Sequence, residues 1–197
     1  QDDPIDQVDA SERTLLSVLA HEPQNAAALD QLVKMFARRG LYARQAKAME
    51  LKLDQTVPEG DRAELLRAIA ALHEQKLTDI GAAAHALRRL IEVTHDAESA
   101  NQLAALHRRH QQWPQVKDAL QVKVRLTAGA ARGAAQLELA GLCENELDDS
   151  EAAVMAYQQV LSFDPPSATT TSASWRAAKP AIPSSTWAIC ASSFRVG

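Results

Sequence analysis

Apolar residues recur through most of the chain at the spacing of an α-helix. Between residues 65 and 72 they occupy positions i, i+1, i+4 and i+7, which form one stripe along a helix. Residues 83–91 repeat the pattern, and charged side chains such as Arg88 point to the other face. Residues 103–106 and 116–124 form similar stripes. None of these predicted helices is apolar enough to stand alone, so each needs neighbours to cover its stripe.

Short breaks interrupt this pattern at a nearly constant interval. The breaks are Pro23, Pro58, Asp96, Gly129 and Pro165, with spacings of 35, 38, 33 and 36 residues. A second set of turns, which divides each interval in two, is predicted near Gly40, Leu77–Asp79, Gln112–Trp113 and Leu147–Asp149. A period of about 34 residues with two helices is typical of an α-solenoid. We therefore predict an all-α fold with about four helix–turn–helix repeats.

The composition changes abruptly near the last of these breaks. All 25 acidic residues lie at or before Asp164, and no leucine follows it. We predict an N-terminal segment over residues 1–24 with a capping or half-repeat helix, helical repeats over 25–165, and an irregular tail rich in Ser, Thr and Ala over 166–197. Three interpretations of the tail stay open: a linker to a further domain, a cap on the last repeat, or the product of a reading-frame shift after Pro165.

Composition and charge exclude several functional classes. Aromatic residues make up only 4% of the chain, which argues against a β-sandwich or barrel. The net charge of −4 argues against a nucleic-acid binder, and no apolar run is long enough to predict a membrane span. The two cysteines, Cys143 and Cys190, lie far apart, which suits a reducing compartment such as the cytoplasm. Cys143 is predicted to be a buried apolar residue.

The sequence offers no recognisable catalytic or cofactor-binding motif. It contains no glycine-rich phosphate loop and no nucleophile or zinc signature, so we predict no enzyme, no cofactor and no metal. His107 and His110 have a spacing that could hold a metal, but no further ligand lies nearby, and we expect a solvated helix end. The acidic run over residues 144–151 lacks the ligand pattern of a calcium loop and is expected at a helix start.

The fourth repeat resembles the tetratricopeptide repeat. The resemblance lies in the stretch 137–165, where Gly141 stands at the small residue of the family's first helix. Ala153 stands at the small residue that opens the second helix, Tyr157 at its aromatic residue, and Asp164–Pro165 at its terminator. Small side chains at the first two positions are expected to let the two helices approach closely.

The other repeats match this family more loosely. The small position of the first helix is filled by Ala104, Ala71 and Val33, and the aromatic position by Leu120, Leu87 and Met49. The resemblance covers residues 25–165, and it implies a right-handed α-solenoid. Related α-solenoid repeats of similar length stay open as alternatives.

The resemblance also implies where a ligand would bind. In tetratricopeptide-like solenoids the first helices of the repeats line a concave groove, which is the usual ligand surface of that family. The groove candidates of this chain are Gln31, Lys34, Arg38, Asn101, Arg108 and Asn145. The implied function is a scaffold that binds a protein or peptide in this groove. The alternative is a structural, self-associating segment of a larger repeat protein.

The charges of the groove candidates bear on the partner. Three arginine pairs, 38–39, 88–89 and 108–109, fit either solvated helix faces or a basic stripe for an acidic peptide. The family's carboxylate clamp needs a Lys/Asn pair in the first unit, where Asp30 and Lys34 stand instead. Binding of chaperone tails is therefore not predicted.

Overall fold

A computed structural model describes residues 4–54 and 58–163, with side chains over 10–54 and 58–160. The helices are α1 (Pro4–His21), α2 (Ala26–Arg39), α3 (Tyr42–Leu53), α4 (Glu59–Leu72), α5 (Ile80–Thr94), α6 (Ala97–Arg109), α7 (Trp113–Leu126), α8 (Gly129–Asn145) and α9 (Ser150–Phe163). A π-helical turn, His73–Leu77, extends α4. Since no strand occurs within these residues, the all-α prediction is confirmed.

The chain divides into two compact units. Unit 1 runs to Thr94 and unit 2 begins at His95. In unit 1, α2 pairs with α3 and α4 with α5, while α3 also contacts α4 and α1 packs against α2. In unit 2, α6 pairs with α7 and α8 with α9, and α7 contacts α8. Each unit thus holds two helix hairpins, and α1 is the predicted additional helix. No described helix has the length and apolar character needed to cross a membrane.

Asparagine and aspartate side chains start four of the helices. The side chain of Asn25 accepts a hydrogen bond from the Ala28 amide at the start of α2, at 3.0 Å. Asp79, Asp96 and Asp149 accept the equivalent bond at the starts of α5, α6 and α9. Such caps satisfy amide groups that have no partner within the helix, and they set where these four helices begin.

The hairpin cores contain the positions that the family resemblance singles out. Met49, Leu87, Leu120 and Tyr157, which share the aromatic position of the repeat, are all buried. Ala153 and Cys143 are buried too, as predicted. The terminator Asp164–Pro165 and the predicted tail lie outside the described residues, and the domain boundaries and the hand of the solenoid stay predictions.

The interpretation of Gly141 as a site of close helix approach is wrong. A Cβ placed on Gly141 would meet only the side chain of Asn145, at 3.9 Å, so the position has room for a larger residue. The preceding residue, Ala140, is fully buried. The equivalent residue in α6, Ala104, is fully buried, so a small side chain is required there.

Candidate functional site

Three groove candidates form one exposed row on α2, called here the α2 row: Gln31, Lys34 and Arg38. They lie at i, i+3 and i+7, and the opposite face of the helix buries Leu32 and Phe36 in the unit 1 core. Among the described residues, none of the three side chains has a hydrogen-bond or ion-pair partner. The row therefore presents two positive charges and an amide to solvent.

The neighbour of Arg38 has a different role. Arg39 donates a hydrogen bond to Glu12 of α1 at 2.8 Å, and Arg44 of α3 donates to the same carboxylate at 2.7 Å. Glu12 thereby joins three helices of unit 1, and its side chain is largely buried. The first arginine pair thus separates into one exposed cation and one structural cation.

Unit 1 also contains an open cleft. It has a volume of about 510 Å³ and is lined by Lys52 of α3 and by four residues of α4, which are Asp61, Glu64, Leu65 and Ala68. Lys52 also reaches back to Asp30 of α2, with an Nζ–Oδ1 distance of 2.6 Å. Asp30 is one helical turn before Lys34, so this ion pair connects the row with the cleft.

The groove candidates of unit 2 are bonded within the chain. Arg108 of α6 pairs with Glu138 of α8 at 2.9 Å, and Lys123 of α7 binds the other oxygen of that carboxylate at 2.7 Å. Lys123 also donates to the side chain of Asn101, at 3.1 Å. Asn145 donates to the Gly141 carbonyl of its own helix, at 2.8 Å. An acidic ligand would have to compete with Glu138 for the charge of these cations.

Glu138 stays ionised because of this network. Partial burial raises the pKa of its carboxyl group, but hydrogen bonds from Lys123 and Arg108, with the charges of both residues, outweigh burial. The pKa therefore lies below its usual value. A lowered folded-state pKa means that the stabilisation is complete above the unfolded-state pKa and is lost as pH falls through the folded-state pKa.

Replacement of Glu138 by glutamine tests this network. We expect Glu138→Gln to lower the free energy of unfolding by about 0.5–1 kcal/mol at pH 7, a range typical of partly exposed ion pairs. The difference from wild type should shrink as pH falls below the usual pKa of glutamate, and it should vanish once the carboxyl is protonated in the folded wild-type chain as well. Urea unfolding at pH 7 and at low pH measures this, with the exposed Glu146→Gln as control. If wild type and Glu138→Gln differed by the same free energy of unfolding at both pH values, the stabilising ion pairs assigned to Glu138 would be contradicted.

The expectation that His107 and His110 form a solvated helix end is wrong for His107. Its side chain is only 4% exposed, and its Nδ1 lies 2.6 Å from Oε1 of Gln112 in the loop that follows. His110 lies beyond the end of α6 and is exposed. The two rings therefore have different environments. In the part of the chain that the structure describes, no three metal-binding side chains come together.

A second ion pair fixes the last hairpin of unit 2. Lys117 of α7 donates to Asp149 at 2.8 Å, and Asp149 also caps α9. The hydrogen bond from Lys117, with that from the Ala152 amide, lowers the pKa of Asp149, and the same ion pair raises the pKa of Lys117. The acidic run thus supplies a helix cap, as predicted.

Burial raises the pKa of the nearby Cys143 thiol, which disfavours the reactive thiolate.

Sequence reasoning missed Glu138, Lys123 and the cleft of unit 1. The repeat spacing could have indicated the role of the lysines. Lys52 and Lys123 are 71 residues apart, and Asp30 and Asn101 are separated by the same interval. Both lysines contact the residue of the preceding helix at the matching position. This pairing therefore occurs at equivalent places in both units.

Comparisons with known proteins add a fold-level likeness only. No family model matches the chain, and no curated protein matches it. A crystal structure of MamA protein is 19% identical over 79% of this chain and 82% of MamA, with a TM-score of 0.43. A structure from the functional characterisation of Pseudomonas aeruginosa PilF is 12% identical over 86% of this chain and 72% of PilF, with a TM-score of 0.41. Because both TM-scores are below 0.5, we draw no conclusion from these similarities. The fold is assigned from the helices and contacts of the chain itself.

Proposed function

We propose that this chain is a non-catalytic protein-interaction scaffold of tetratricopeptide-like repeats, and that the α2 row of unit 1 contacts an acidic segment of its partner. This proposal is based on one observation. The side chains of Gln31, Lys34 and Arg38 are exposed and have no hydrogen-bond or ion-pair partner among the described residues. Helical-repeat folds commonly spread binding contacts over one face, and a few polar residues then give specificity.

The difference between the units supports the choice of unit 1. Arg108 is held by Glu138, and Lys123 neutralises the other oxygen of that carboxylate. A ligand carboxylate would gain little there, because it would replace a bond that the chain already makes. Lys34 and Arg38 have no such competitor among the described residues, so a ligand can pair with them directly.

Reversal of the charges in the α2 row tests this function. We expect Lys34→Glu with Arg38→Glu to lower affinity for the partner by about tenfold or more, since two attractive contacts of about 0.5–1 kcal/mol each become repulsive. Binding by the wild-type chain should also weaken at high salt. The measurement is capture of partners by the full chain from a lysate of its source organism, followed by titration of the captured protein.

The matched control reverses two other exposed cations of unit 1, Lys47 and Arg88. The control variant, Lys47→Glu with Arg88→Glu, has the same net charge as the row variant but leaves the row intact. Capture of the same partner by wild type and control, but not by the row variant, supports the proposal. Equal loss in both double variants would mean that only net charge matters and would contradict it.

A second candidate function is self-assembly, which one observation favours. Leu16 of α1 is 48% exposed, although α1 packs against α2 through other residues of the helix. Contact with a second copy of the chain through this leucine would remove its apolar surface from water. Light scattering distinguishes the candidates, because a mass that rises with protein concentration and returns to that of a monomer in Leu16→Glu supports self-assembly.

A further inference from the structure

The cleft of unit 1 has an unusual combination of linings. Leu65 and Ala68 provide an apolar floor, and Asp61 and Glu64 stand on the same face of α4, three residues apart. Its volume of about 510 Å³ lies within the range of ligand clefts. The cleft is therefore wide enough to accept side chains from a bound protein segment.

The corresponding place in unit 2 is filled by the chain itself. Counted from the capping residues Asp79 and Asp149, Ala68 of α4 occupies the position of Glu138 of α8. Glu138 extends to the lysine of the preceding helix, Lys123. Ala68 is too short to do so, and it lines the cleft with the equivalent lysine. A long side chain is therefore missing at this point in unit 1.

The charges around the cleft differ from those in unit 2. The lysine of unit 1, Lys52, is already neutralised by Asp30, where unit 2 has the uncharged Asn101. Asp61 and Glu64 have no hydrogen-bond or ion-pair partner among the residues that the structure describes. In α8 the matching residues are the uncharged Ala131 and Ala134. The cleft of unit 1 thus has two carboxylates without an ion-pair partner among the described residues, and a cationic group complements it.

We propose that this cleft receives a lysine or arginine side chain of the segment whose acidic residues contact the α2 row, an inference that rests on the proposed function. The aliphatic part of that side chain packs on Leu65 and Ala68, and its charged end pairs with Asp61 and Glu64. Because Lys52 lines the cleft and pairs with Asp30, one helical turn from Lys34, we assign both contacts to one partner segment. The partner is therefore a peptide segment that carries both an acidic and a basic residue.

Selection from a random peptide library displayed on phage, against the immobilised full chain, tests this inference. The wild-type chain should select peptides enriched in both acidic and basic residues. The variant Asp61→Asn with Glu64→Gln keeps the size of the cleft and removes its charge, so its peptides should lose the basic enrichment and keep the acidic one. For the best wild-type peptide, made synthetically, this variant should show an affinity loss of about tenfold.

The control is Glu98→Gln with Glu146→Gln, which removes two exposed charges elsewhere in the chain. It should select the same peptides as wild type. If wild type selects acidic peptides without basic enrichment, or if the cleft variant binds the best peptide as wild type does, the inference is overturned and the proposed function stands. If wild type selects no peptides, or the α2 row variant selects the same ones, the proposed function fails and the inference fails with it.

Discussion

Replacement of Tyr157 by alanine should lower the free energy of unfolding by about 3–5 kcal/mol, the cost typical of removing a buried aromatic ring. Tyr157 is only 2% exposed and stands at the aromatic position of the last described hairpin. Its hydroxyl group donates a hydrogen bond to Glu144 of α8, at 3.0 Å. The ring therefore joins α8 and α9 through both packing and a polar contact. Urea unfolding followed by circular dichroism measures the change.

The matched control is Tyr157→Phe, which keeps the ring and removes only the hydroxyl group. This variant should lower the free energy of unfolding by about 1 kcal/mol, the typical contribution of one hydrogen bond. If Tyr157→Ala lowers the free energy of unfolding no more than Tyr157→Phe does, the ring does not stabilise this hairpin. The assignment of Tyr157 to the aromatic position of the repeat would then be wrong.

Replacement of Ala104 by leucine should lower the free energy of unfolding by about 1–3 kcal/mol, because a well-packed core has no space for three added carbon atoms. Ala104 is fully buried in α6. The equivalent position in the last hairpin, Gly141, has space for a side chain. Thermal or urea unfolding of the two variants Ala104→Leu and Gly141→Ala compares the positions directly.

Gly141→Ala, in contrast, should raise the free energy of unfolding. Alanine favours the helical state over glycine by about 0.5–1 kcal/mol, and nothing in the described structure opposes the added methyl group. A stabilised Gly141→Ala with a destabilised Ala104→Leu would confirm that the two repeats pack differently at this position. Destabilisation by Gly141→Ala would restore the family interpretation that the structure overturns.

The helical repeats could be predicted from the sequence because local chemistry determines them. Apolar spacing identifies the buried face of each helix, and Asn25, Asp79, Asp96 and Asp149 mark helix starts through hydrogen bonds to amides three residues away. Gly40 ends α2 in the left-handed conformation that glycine adopts easily. None of these signals requires knowledge of a distant residue.

The groove could be predicted only in part, because pairing depends on residues far along the chain. Arg38 and Arg108 both lie late in the first helix of a hairpin, yet Arg108 is paired by Glu138, thirty residues later, and Arg38 has no partner among the described residues. The burial of His107 depends likewise on the path of the loop to Gln112. Helix periodicity places such residues on a face but does not show which of them a neighbouring helix engages.

Site-specific photo-crosslinking can show whether the α2 row contacts the partner. A photo-reactive amino acid is placed in the full chain at Gln31, within the row, and separately at Lys47, an exposed position on α3. We expect the captured partner to become covalently linked from position 31 and not from position 47. A link from position 47 alone, or equal links from both positions, would contradict it.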